Sequence, residues 1–239
     1  MKTKSLPLSA VFLLLFIIIG VEIAGAYLFF HIFPKPSDLE ILWFTGALRI
    51  LDLGLILSFV YLSGRGTASI GIIHGELMRG IFIGLWWSLL FGAAVFSLWG
   101  VFLIFRINLF RFLFSQATHI SPPLFIWLIL IGGILAPIVE DSFFIGGLYN
   151  AFRNKFPPLV SALSTSLFFA LLHGLHGSFP VTQFIGGLLF ALSFEYSKSL
   201  LTPVSIHILG NCTLFVMSYC TWLKDIFLAL PHPVFPNQR

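Results

Sequence analysis

The stretch from Leu124 to Phe152, LFIWLILIGGILAPIVEDSFFIGGLYNAF, decides the fold class. Its apolar residues run on without the alternation of a β-strand, and the run exceeds the roughly 20 residues an α-helix needs to cross a bilayer. The pattern predicts one long membrane helix over 124–152. Two carboxylates, Glu140 and Asp141, break the run about one turn after Pro137. A proline inside a membrane helix frees a backbone carbonyl and kinks the chain, often close to function.

The rest of the chain repeats this character. Of 239 residues, 58% are hydrophobic and 9% are charged, against roughly 25% charged in soluble domains. The mean hydropathy of +1.02 points the same way. The fold class is therefore all-α: a polytopic transmembrane helix bundle of about 7–8 spans. Spans are expected near 8–33, 41–62, 81–105, 124–152, 159–175, 179–196 and 201–222. The first follows Lys2 and Lys4 and is too long and too continuous for a signal peptide, so it is read as an uncleaved span. A glycine-rich loop covers 63–79. The segment 106–123 is mixed, and Phe110, Leu113 and Phe114 suit one face lying along the interface. The chain divides into N-terminal helices with this interfacial segment (1–122), a C-terminal bundle (123–222) integrated with them into one membrane domain, and a tail (223–239).

The formal charge of +4 belongs to loop lysines and arginines, and no basic run of the kind that tracks phosphates occurs, so nucleic acid is not an expected partner. The lipid bilayer is. With the N-terminus inside, Lys and Arg favour the cytoplasmic loops only mildly. Cys212 and Cys220 lie two turns apart on one helix, too distant for a disulfide, and read as packing residues.

Ionisable groups within spans are costly and tend to be functional. Three polar islands stand out in the C-terminal half. The first is Glu140-Asp141. Adjacent carboxylates in an apolar helix are hard to keep ionised together, because like charges repel and low dielectric disfavours the charged form. Such a carboxylate suits a general base; the alternative is a pair at a helix end in water, with Arg153 and Lys155 nearby. The second island holds His173, four residues after Phe169 and on its face, with His176 beyond. A lone histidine is more often a hydrogen-bonded structural group. The third pairs His207 with Asn211, one above the other at i, i+4; interhelical hydrogen bonding is the alternative reading. Taken together, a carboxylate, two imidazoles and an amide from three helices are the parts needed to activate water and stabilise an oxyanion. Glu22 and the Arg49/Asp52 pair read as interhelical contacts, and Glu195 and Lys198 as groups facing water or headgroups.

These islands resemble the motifs of the CPBP (Abi) family of intramembrane proteases, which includes the type II CAAX prenyl endopeptidases. The family pattern is EExxxR, then FxxxH, then HxxxN or HxxxD. Here the motifs read Glu140-Asp141-Ser142-Phe143-Phe144-Ile145, Phe169 to His173, and His207 to Asn211. The resemblance spans about 123–219, within the CPBP-like bundle.

The resemblance implies an intramembrane endopeptidase of glutamic type, acting on a membrane-associated protein or precursor, with a C-terminal tail as one possible substrate. Glu140 would activate water, His173 would help bind it, and His207 and Asn211 would donate to the oxyanion, with Asp141 and Phe169 in support. No cofactor is needed in this scheme; a zinc ion held by the histidines and glutamate is the less favoured reading. The expected location is a prokaryotic inner membrane, multi-pass. Two departures stand out: the second Glu is Asp141, and the Arg of the first motif is Ile145. Arg49 is a candidate substitute for that cation. Ile145 favours the alternative function, a catalytically altered member acting as a membrane scaffold or immunity protein. A transporter or proton relay is a third class, disfavoured by the lack of inverted repeats.

Overall fold

The computed structural model describes residues 5–105, 121–174 and 180–229. The interfacial segment with Phe110, Leu113 and Phe114, together with His119 and His176, lies outside the described residues.

Seven helices form and no strand is present among the described residues. They are α1 (Leu8–Ile32), α2 (Asp38–Leu62), α3 (Leu77–Ile104), α4 (Pro122–Arg153), α5 (Pro158–His173), α6 (Val181–Ser197) and α7 (Leu201–Ala229). Five, namely α1 to α4 and α7, are long and apolar enough to cross a membrane by length and composition. The two shorter ones, α5 and α6, have 16 and 17 residues. Their starts follow the chemistry of the chain. Ser37 and Glu40 form a reciprocal capping box at α2, with the Ser37 amide donating to Glu40 Oε2 at 2.7 Å, which satisfies amides that a helix start leaves open. Prolines stand at the first turn of α4 and α5, where a missing N–H is harmless. The helix α7 continues past Trp222 to Ala229.

The central element is α4. It is not uniformly α-helical: Leu128–Leu135 and Ser142–Tyr149 are π-helical, and the α-helical turns of Ala136–Asp141 lie between them. Pro137 cannot donate to the carbonyl one turn back, and the wider π turn before it accommodates the ring. Both carboxylates therefore sit between two widened stretches, a recurrent setting for functional residues. At Gly133 a Cβ would stand 2.8 Å from Cys212 Sγ, so glycine is what lets α7 lie this close to α4.

Around α4 pack α2, α5 and α7, while α3 lies against α7 and α6 along α5. The loop 63–79 is more than a connector. Its two short 3-10 turns fold back onto the bundle, Ile70 is fully buried, and Gly71 O accepts the Leu200 amide at 2.9 Å. Ser5, Pro7, Arg65 and Asn154 line one cavity, and Ser37 to Leu39 line another with Ser121, Pro123 and Leu124.

Several in-span charges find partners. Arg49 pairs with Glu22 across α1 and α2 and lies 3.4 Å from Asp52. Glu195 does not simply face water or headgroups. It accepts the Tyr149 hydroxyl at 2.6 Å, Arg153 Nε at 3.1 Å and Lys198 Nζ at 2.7 Å. The reason is the close packing of the α4 and α6 ends, which gathers these groups into one partly buried knot.

Candidate active site

Glu140 and Asp141 are not at a helix end, because α4 continues beyond them to Arg153. Adjacent on the helix, they point to different surroundings: Asp141 is 1% exposed, whereas the Glu140 side chain keeps 17% of its surface. Glu140 Oε2 stands 3.8 Å from His173 Nε2, and at the same 3.8 Å from His207 Nε2. Three helices, α4, α5 and α7, thus deliver one carboxylate oxygen and two imidazole nitrogens to a common point.

Each imidazole is held from its other nitrogen. His173 Nδ1 lies 2.7 Å from Phe169 O, one turn back on α5. His207 Nδ1 lies 3.3 Å from Asp141 Oδ1. Aromatic rings wall the site: Phe169 packs on His173 at 4.5 Å between centroids and meets Phe144 edge-on at 5.0 Å. Phe190 of α6 stacks on His207 at 4.4 Å. This apolar lining lowers the local dielectric and strengthens the polar contacts inside it.

Asn211 lies one turn beyond His207 on α7, and its Nδ2 donates to Gly132 O at 3.0 Å. Phe169 is buried and contacts both histidines. Ile145 is 1% exposed and belongs to the apolar core. The ion pairs of Arg49 are with Glu22 and Asp52, so it does not stand in for a cation at the acidic pair. Phe190 was not singled out in the sequence; nothing in the run Leu188-Leu189-Phe190-Ala191 distinguishes it from other packing residues. Among the described residues, no three His, Cys, Asp or Glu side chains are gathered so as to hold a metal ion.

Residues 122–213 match the family model of type II CAAX prenyl endopeptidase Rce1-like proteins. The chain is also similar to the membrane-embedded CAAX protease MroQ of Staphylococcus aureus. That match is 35% identical over 92 residues, covering 37% of this chain and 37% of that protein. The matched segment is thus little more than a third of that relative's length. No solved structure matches the chain.

Proposed function

We propose that this chain, whose residues 122–213 match the type II CAAX prenyl endopeptidase Rce1-like family model, is an intramembrane endopeptidase that hydrolyses a peptide bond in a membrane-associated protein or precursor. The observation that carries the reading is Glu140 Oε2 at 3.8 Å from the Nε2 atoms of both His173 and His207. That separation is too long for a direct hydrogen bond and suits a bridging water.

In this scheme a water held between Glu140 and His173 gives a proton to the Glu140 carboxylate as its oxygen attacks the carbonyl carbon. With Nδ1–H given to Asp141 Oδ1, His207 acts as the doubly protonated imidazolium, and its Nε2–H faces the same point and donates to the oxyanion as it forms. The Asn211 amide has a second N–H besides the one given to Gly132 O, and it serves as the second donor. On collapse of the tetrahedral intermediate, the C–N bond breaks and Glu140 returns the proton to the leaving amine. The scheme needs no metal; a zinc ion held by His173, His207 and Glu140 is the less favoured reading.

A C-terminal tail is the proposed substrate class, and a prokaryotic inner membrane the proposed location. Ile145, buried in an apolar core where the family motif has Arg, favours a second reading, a non-enzymatic scaffold or immunity protein. The two are separated by profiling membrane-protein C-termini in cells that carry wild type, Glu140→Ala, His173→Ala or His207→Ala as their sole copy. Uncleaved precursors accumulate in all three variants if the protease reading holds. Normal processing in all three would leave only the scaffold.

A further inference from the structure

His207 has a polar contact at one edge and aromatic rings around it. Phe190 stacks on its face at an interplanar angle of 22°, and Phe169 meets it edge-on at 5.9 Å and 84°. Neither ring can grip a ring nitrogen by a hydrogen bond. Asp141 Oδ1, 3.3 Å from Nδ1, therefore decides which edge of the imidazole faces inward. Turned over about its Cβ–Cγ bond, the ring would present carbon where nitrogen now stands.

Asp141 in turn has few polar neighbours. Its Oδ2 is buried without a hydrogen-bond partner. Ile145, one turn along α4, brings only hydrocarbon. Ion pairs of the described arginines and lysines run elsewhere: Arg49 to Glu22 and Asp52, Arg79 to Glu76, Arg153 and Lys198 to Glu195. The ion-pair partners of Glu140 and Asp141 among the described residues are histidines.

We propose, resting on the protease reading above, that Asp141 is a positioning residue: it holds His207 by Nδ1 and so presents Nε2 to Glu140 and to the reacting carbonyl. Asp141 touches no substrate and acts through His207 alone. A carboxylate that accepts from one imidazole N–H orients the ring and stabilises its doubly protonated form, a recurrent device in hydrolases; as the imidazolium, His207 keeps an N–H on Nε2 to donate. Here it couples the two acidic neighbours of α4 to different tasks, one toward water and one toward the donor that receives the oxyanion.

The test uses the full chain in lipid nanodiscs. The probe is a fluorophore–quencher version of the peptide that accumulates uncleaved in membranes of the Glu140→Gln variant. Asp141→Asn keeps the shape of the side chain and removes its charge. It lowers kcat by about tenfold or more, leaves KM within about threefold, and displaces the pH–rate profile. In a His207→Ala background the same substitution has no further effect, because its route is gone. A wild-type kcat and pH profile in Asp141→Asn, or an additive loss in the double variant, overturns the proposal. If wild type and Glu140→Gln have equal activity, or no precursor accumulates, the protease reading itself is overturned and this proposal falls with it.

Discussion

His173 Nε2 lies 3.8 Å from Glu140 Oε2 while its Nδ1 is held 2.7 Å from Phe169 O. The backbone contact fixes the ring, and the ring nitrogen and the carboxylate oxygen then stand close enough for one water beside them to bond both. Removing the imidazole therefore removes a water site rather than a structural strut. His173→Ala is expected to lower turnover by about 10²–10⁴ with a melting temperature close to wild type, since the side chain is 32% exposed. Thermal unfolding and kcat measured on the same purified sample check both halves.

His207→Ala differs in its second effect. The ring is 6% exposed and packed against Phe190 and Phe169. Its loss opens a cavity as well as a catalytic gap, so turnover falls and stability drops by about 2 kcal/mol or more. A variant that melts like wild type would argue against the tight packing described for this ring.

Ile145→Arg restores the family motif on paper but not in the fold. The site is 1% exposed and lies in the apolar core. Placing a guanidinium there adds an unpartnered charge, about 2.5–3.5 kcal/mol by insertion scales, and excess volume, about 1–3 kcal/mol more. The expected outcome is a clearly lowered melting temperature in detergent. An unchanged or higher value would mean that the acidic pair reaches the new cation.

The Glu22–Arg49–Asp52 group is expected to be structural. Arg49→Met leaves Asp52, 1% exposed, without its ion pair. Breaking fully buried pairs costs about 3–5 kcal/mol; partial exposure of Arg49 and Glu22 reduces this to about 2 kcal/mol. Denaturant unfolding should register that loss while turnover per folded molecule stays near wild type. A selective loss of turnover would tie α2 to the chemistry.

Metal content separates two hydrolytic schemes. Substoichiometric zinc and activity that survives chelation are expected of purified protein. Stoichiometric zinc that disappears in His173→Ala would replace the water-activation scheme with a metal-assisted one.

Much of the architecture was legible because long apolar runs and proline punctuation leave few alternatives in a bilayer. The position of the helix 124–152 and the Phe169–His173 relationship follow from spacing; Glu22 and the Arg49/Asp52 pair read as interhelical contacts, but that Glu22 and Arg49 meet each other is seen only in the structure. The π-helical stretches of α4 were not legible, because periodicity assumes a constant 3.6 residues per turn. They set which way Glu140 and Asp141 point. The direction of Asn211 toward Gly132 O, the stack of Phe190 on His207, and the knot of Glu195 with Tyr149 and Arg153 depend on contacts between distant helices. Local patterns carry no mark of those contacts. The burial of Ile70 escaped for the same reason: a glycine-rich loop reads as solvent-exposed until a partner surface is known.

The most direct test of the central claim is the turnover of Glu140→Gln, an isosteric change that keeps the fold and removes the base. In nanodiscs, with the accumulating precursor peptide as substrate, kcat is expected to fall by about 10³ or more with an unaltered melting temperature. A kcat within about threefold of wild type would contradict the assignment of Glu140 as the group that activates water.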